Sequence, residues 1–258
     1  VFAEDNQFSG KLDWDGVIAH GASTLAYIDL HSNCFSGTIL VDIAETFTHL
    51  TALDLSVNQL HGPFPPNLKT VFLDVSFNQL SGSLPADLFR NGVVESFVGQ
   101  MNCFEGDLPK DICEASSTLQ NLVLNGLSSA SECTNKFFDS GMIPIHTYRF
   151  INAVSGTIPK CIFSMPLLRS LQLSGNLLSG SLSSDLALSP SVDNMLLSHN
   201  HIEGTIPKII QQRNWSVLDL SYNKFTGELA QDFDVDMDSR GVLKMEGNRL
   251  SGKVPRSL

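Results

Sequence analysis

The sequence predicts a single solenoid domain over residues 1–258, about eleven short turns stacked on a parallel sheet. Three observations carry that prediction. The stretches "LDLSVNQLHGPF" (53–64), "LDVSFNQLSGSL" (73–84) and "LDLSYNKFTGEL" (218–229) are near-copies of one another. An Asn recurs at positions 6, 33, 58, 78, 102, 152, 176, 200, 223 and 248, mostly 23 to 27 residues apart. Each of these Asn residues is followed four positions later by a Gly, from Gly10 to Gly252. Self-similarity at such a period is the signature of a repeat architecture, in which no single unit buries its apolar face alone. The one gap of 50, between Asn102 and Asn152, is twice the usual spacing. At its middle "LQNLVLNGL" keeps Leu119, Leu122 and Leu124 in phase, with Leu127 where the Asn belongs, and so supplies the eleventh turn.

Each position of the repeat has a physical reason. In L-x-x-L-x-L, as in Leu25, Ile28 and Leu30 or Leu168, Leu171 and Leu173, the apolar residues alternate with variable ones. A strand turns such residues to opposite faces, so the leucines point inward and the variable residues outward. The Asn amide carries two donors and an acceptor with which to satisfy the backbone of a buried bend. The Gly permits a tight path. After it, Leu84-Pro85, Leu108-Pro109, Ile158-Pro159, Ile206-Pro207 and Val254-Pro255 place a proline where the chain turns to the outer side, stiffening it and removing a donor.

Read in full, L-x-x-L-x-L-x-x-N-x-L-S/T-G-x-I-P resembles the plant-type leucine-rich repeat of receptor-kinase ectodomains, receptor-like proteins and polygalacturonase-inhibiting proteins. The resemblance covers nearly the whole chain. It implies an α/β solenoid, curved and twisted right-handed, with a concave parallel sheet, a short second sheet and a convex side of helical or 3₁₀ turns. At roughly 4.8 Å per strand, eleven turns would be on the order of 50 Å long. The family's cysteine-bearing end caps are not seen; "VFAEDNQFSGKL" enters and "GNRLSGKVPRSL" leaves mid-turn, as expected of a segment of something longer or of a chain that docks end-on against a partner. "DWDGV" (13–17) reads as filling of the convex side.

Composition narrows the function. An apolar content of 42% supports a continuous core, and a net charge of −11 opposes binding to nucleic acid or to anionic lipid, both of which require an excess of Lys and Arg. No apolar run approaches the roughly 18 residues of a membrane helix, so direct membrane insertion by this segment is not expected. No nucleophile elbow, phosphate-binding loop or dinucleotide fingerprint occurs, and the seven histidines lack metal-ligand spacing. The expectation is a protein without catalysis and without a cofactor.

Several local features stand outside the repeat. From Ser128 to Pro144 the pattern fails, and an inserted loop is expected over residues 128–144, either a recognition element or a tolerated surface insertion. Five cysteines leave at least one unpaired. Cys113 with Cys133 is the first pairing expected, tying the loop to the preceding arc; Cys133–Cys161 and Cys103–Cys133 are alternatives. A bridge would place the chain in an extracellular or secretory, lumenal compartment. Asn214-Trp215-Ser216 is the one N-x-S/T triplet and a glycosylation candidate. Asp232, Asp234, Asp236 and Asp238 alternate with apolar residues and form a weak calcium candidate, since neither the Gly nor the bidentate Glu of a calcium loop follows.

Phase also identifies the outward residues of the sheet. Asp and Ser recur there as part of the repeat: Asp29, Asp54 and Asp74, then Ser56, Ser76, Ser174, Ser198 and Ser221. Residues departing from that consensus are the candidate partner surface. They are Tyr27, Phe72, Phe77, Val98, Met101, Val123, Leu196, His199 and Tyr222, joined by Asp29 and His31 at the first turns. The expected function is an interaction or assembly module that binds a protein partner through the concave face, the inserted loop or the exposed ends. A receptor's ligand-sensing ectodomain and an inhibitor of a secreted hydrolase are the alternatives.

Overall fold

The computed structural model describes residues 1–14, 24–126, 153–231 and 241–255. Nine three-residue strands form one parallel sheet, running in order from Tyr27–Asp29 through Ala52–Asp54, Phe72–Asp74, Ser96–Val98, Asn121–Val123, Ser170–Gln172, Asn194–Leu196 and Val217–Asp219 to Val242–Lys244. A bridge from Phe2 to Asp29 extends it at the first turn. Register aligns the middle residue of every strand, so Ile28, Leu53, Leu73, Phe97, Leu122, Leu171, Met195 and Leu218 form one apolar ladder in the core. The alternation of the repeat requires this, because the residues on either side of each ladder member face outward.

A second layer of parallel strands follows the Asn–Gly segments. Six of them run from Ser9–Lys11 to Ala153–Ser155 and three from Glu203–Thr205 to Arg249–Ser251. Single bridges, Thr157 to Ser179 and Ser181 to Glu203, connect the two sets. The outer arcs hold short helices at Ile43–Thr46, Ala86–Arg90, Lys160–Phe163 and Lys208–Gln211 and a 3₁₀ helix at Lys110–Ala115. Four of these start directly after Pro85, Pro109, Pro159 and Pro207, where a missing N–H leaves no helical bond unmade. Their apolar faces (Leu88, Phe89, Ile112, Ile162, Phe163, Ile210) close the core from outside. Trp14 is buried against Phe47, as expected of filling on the convex side.

The Asn residues lace the turns together. Asn78 donates to the Leu55 carbonyl of the preceding turn at 2.8 Å and to Val75 and Ser76 of its own at 3.2 Å. Its carbonyl accepts from the Leu60 amide at 2.9 Å. Asn33, Asn58, Asn102, Asn176, Asn200 and Asn223 repeat the arrangement, all buried.

Among the described residues, the strand pairing departs from the expected spacing of turns. Separate turns at Leu127 and Asn152 would put a further strand in the inner sheet between Asn121–Val123 and Ser170–Gln172. Those two strands are instead bonded directly to each other, and Asn176 reaches the Leu124 carbonyl at 2.8 Å. Ala153–Ser155 pairs in the second layer with Cys103–Asp107. One turn therefore leaves the inner sheet at Val123 and enters the second layer at Ala153. Only the pairing of these flanks is needed to continue the solenoid. Asn152 and the loop expected over 128–144 lie outside the described residues.

The same topology corrects the disulfide. Cys113 is bonded to Cys161, with Cα atoms 5.7 Å apart, and not to Cys133. Because the strands Asn121–Val123 and Ser170–Gln172 pair directly, the arcs carrying Cys113 and Cys161 lie side by side. Cys103 is disulfide-bonded as well, Cys34 is free and exposed, and Cys133 lies outside the described residues.

Candidate ligand-binding face

The outward face of the inner sheet is organised by three rows of side chains. In one row the consensus carboxylates are tied down locally. Asp54 accepts from the Ser56 amide at 3.0 Å and hydroxyl at 2.7 Å, and Asp219 does the same with Ser221 at 3.0 and 2.6 Å. Asp74 accepts from the Ser76 amide at 2.9 Å, and burial pushes its carboxyl above the usual carboxylate range. These residues close the end of each strand, so the D-x-S of the repeat is structural.

At the first of these strands His31 stands where the Ser would be. Its amide bonds Asp29 at 3.2 Å and its Nδ1 lies 2.7 Å from the same oxygen, while its Nε2 is 3.6 Å from Asp5. Asp29, His31 and Asp54 bring one ligand atom each within 4.8 Å of one another. The hydrogen bond to Asp29, joined by the charges of Asp29, Asp54 and Asp5, holds the His31 pKa above its ordinary 6.5 against the effect of burial. The histidine spacing in the sequence gave no sign of this group, because Asp5 and Asp54 come from the turns on either side.

The middle of the face is uncharged. Val98, Val123, Gln172 and Leu196 replace the carboxylates of the row. Asn125 bridges Gln100 at 3.5 Å and Gln172 at 3.0 Å and accepts from the Ser174 amide at 2.9 Å, forming a chain of amides across three strands. Val98, Met101 and Leu196 are half-buried, and Val123, only 8% exposed, sits between Val98 and Gln172 in register and does not offer a surface. Towards the last strand Lys244 stands 3.9 Å from Asp219.

A third row consists of the residues just before each Asn. Val57, Phe77, Met101, His199 and Tyr222 all have φ between 50° and 57°. Holding non-glycine residues in this left-handed region costs roughly 1–3 kcal/mol each and is sustained only where the surroundings impose it. The conformation lifts these side chains out of the sheet, leaving Phe77 at 40% and Tyr222 at 51% exposure. His199 and Tyr222 stack, with centroids 4.3 Å apart and planes 13° from parallel. Val57 belongs to this row and was missed in the sequence; its place immediately before the anchor Asn was the available signal. Tyr27 and Phe72, both exposed, occupy the first position of their strands.

The other candidates lie apart from this face. Asn214 is exposed, beyond the helix Lys208–Gln211 on the outer arc. Asp232, Asp234, Asp236 and Asp238 lie outside the described residues. Among the described residues no helix is long and apolar enough to cross a membrane.

Comparison with known proteins bears on this geometry. The family model Leucine Rich Repeat matches residues 49–71, 69–91 and 214–235. Receptor-like protein 32 of Arabidopsis thaliana is 34% identical over 113 residues, covering 42% of this chain and 13% of that protein. Receptor-like protein 35 of the same plant is 32% identical over 152 residues, 55% of this chain and 16% of that protein. The chain thus spans well under a fifth of the curated relatives it matches. Among solved structures, the Arabidopsis receptor kinase HAESA, in complex with the peptide hormone IDA and the co-receptor SERK1, superposes with a TM-score of 0.67 at 28% identity, over 97% of this chain and 42% of that one. A plant ice-binding protein superposes over 98% of this chain and 81% of that one with a TM-score of 0.68; at 22% identity it shares the fold alone.

Proposed function

Since the chain is built of plant-type leucine-rich repeats, we propose that it is a ligand-sensing segment of a receptor-like ectodomain, acting without catalysis on the extracellular side. Its inner face would hold a peptide or protein partner. One observation carries this reading. On that face the consensus Asp and Ser residues are engaged with one another, while Tyr27, Phe72, Phe77, His199 and Tyr222 remain exposed. Exposed aromatics rising from a rigid sheet give large contact area at little cost in side-chain entropy. The peptide hormone in complex with HAESA supports a peptide as the ligand class.

The amides of Gln100, Asn125 and Gln172 offer both donors and acceptors, which suits the backbone of an extended chain laid across the strands. The disulfide between Cys113 and Cys161 agrees with an oxidising, extracellular setting.

The test is capture from a random peptide library on the immobilised 258-residue chain, followed by affinity measurement for the selected peptides. Phe77→Ala and Tyr222→Ala should each weaken binding by roughly tenfold or more, as central aromatic contacts do. A convex-side change, Lys110→Ala, should leave it unaltered. Peptides that bind all three variants equally would place the ligand elsewhere and defeat the reading.

A further inference from the structure

We propose that Asn214 carries an N-linked oligosaccharide whose first N-acetylglucosamine lies in a cleft of the outer arc. Asn214-Trp215-Ser216 is the one N-x-S/T triplet in the sequence, so a single site is at issue. Its central residue looks unfavourable, because a bulky Trp stands between acceptor and hydroxyl. Transfer acts on the chain before it folds, so the fold bears on where an attached glycan would sit and not on how the Trp affects its addition. Trp215 is turned inward and only 6% exposed, its indole N–H donating to the Ile210 carbonyl at 2.9 Å. With the indole anchored in the core, Asn214 and Ser216 on either side of it are both exposed.

Beside Asn214 lies an open cleft of about 800 Å³, with Leu188 and Pro190 from one turn and Ile209, Gln212, Arg213 and Asn214 from the next. That volume falls within the roughly 300–1,000 Å³ typical of ligand clefts. Arg213 fastens its two walls together. Its guanidinium donates to the carbonyls of Ser189 and Pro190, each at 2.7 Å, and lies 5.2 Å from the centre of the Trp215 ring. Asn214 is therefore one of the residues lining this open cleft, where the apolar face of a sugar can rest on Leu188, Pro190 and Ile209. The site is on the outer arc, so a glycan here leaves the inner sheet open.

The modification needs a lipid-pyrophosphate-linked oligosaccharide as donor and a transferase of the secretory pathway. The Asn214 side-chain nitrogen forms a bond to C1 of the first N-acetylglucosamine. The bond from C1 to the pyrophosphate oxygen breaks, the lipid pyrophosphate leaves, and one amide proton is lost to the transferase's base.

The 258-residue chain is secreted from a eukaryotic host, with a Cys113–Cys161 peptide in the unreduced digest confirming the fold. Intact mass should show one glycan increment, removed by peptide N-glycosidase and absent from Asn214→Gln and Ser216→Ala. An unmodified mass for both the natural chain and Ser216→Thr, with the disulfide present, overturns the site. Amide hydrogen exchange over residues 208–216 should be slower in the glycosylated protein than in Asn214→Gln; equal rates overturn seating of the sugar in the cleft.

Discussion

The phenol ring of Tyr222 lies flat against the imidazole of His199, one turn away, with centroids 4.3 Å apart. On the other side of Tyr222 stands Gly247, where a Cβ atom would come within 2.7 Å of the ring. Both aromatic residues hold positive φ, so the backbone fixes where the pair stands on the inner face. Gly247, at φ 69°, is the position that admits it.

Gly247→Ala should therefore disturb the pair. It adds a clash with a stacked ring to the strain of a left-handed backbone, and the expected loss is more than about 1 kcal/mol. Denaturant titration would measure the loss, and the ring proton shifts of Tyr222 would report the displaced stack. A variant with unchanged stability and unchanged shifts would mean the ring is not held there.

Asn78→Ala tests the lacing of the turns. It strands the Leu60 amide in the core, a buried group costing about 1–3 kcal/mol without its partner, and leaves the Leu55 carbonyl only its longer bond from Asn58, at 3.2 Å, while the bonds to Val75 and Ser76 are lost. A loss of about 3 kcal/mol or more in urea unfolding is expected. Substitution of the exposed Ser83 by Ala should stay within about 0.5 kcal/mol.

Removing the Cys113–Cys161 bridge with a double Ser substitution opens a loop of sequence separation 48. Loop-closure entropy puts the loss at about 4 kcal/mol. Peptide mapping of the unreduced natural protein should recover this pair; recovery of a Cys113–Cys133 peptide instead would contradict the turn topology.

His31 gives a pH dependence. Its pKa is raised in the folded state, first by the bond to Asp29, so the stability it contributes is fully present below 6.5 and is lost as pH rises through the folded value. Asp29→Asn should bring the His31 titration, followed by NMR, down in pH and flatten the stability slope in that window. An unchanged midpoint would show that Asp29 is not the cause.

Much of this protein was legible before folding. The repeat placed Leu53, Leu73 and Leu218 in the core and Asn58, Asn78 and Asn223 at the bends, because each turn meets the same demand for apolar burial and satisfied backbone. The outward residues were legible by phase, Tyr222 and Phe77 among them. Phase could not reveal that Val123 is shielded by Val98 and Gln172, or that His31 faces Asp54. Those relations cross between turns, and a one-dimensional period carries no information about which side chain leans over its neighbour.

What the sequence determined by itself is the repeating unit: an inward ladder, an Asn that laces, a Gly and a Pro that turn the chain outward. These are local requirements, and they recur wherever the motif recurs. Tertiary structure alone decided which described strands pair and that Cys113 meets Cys161. Between Val123 and Ala153 the period in sequence continues while the inner sheet closes directly from one strand to the next. Hydrogen-bond pairing between Leu122 and Leu171 requires only that the two strands arrive side by side. It is indifferent to how much chain separates them, and that indifference is what brings Cys113 to Cys161.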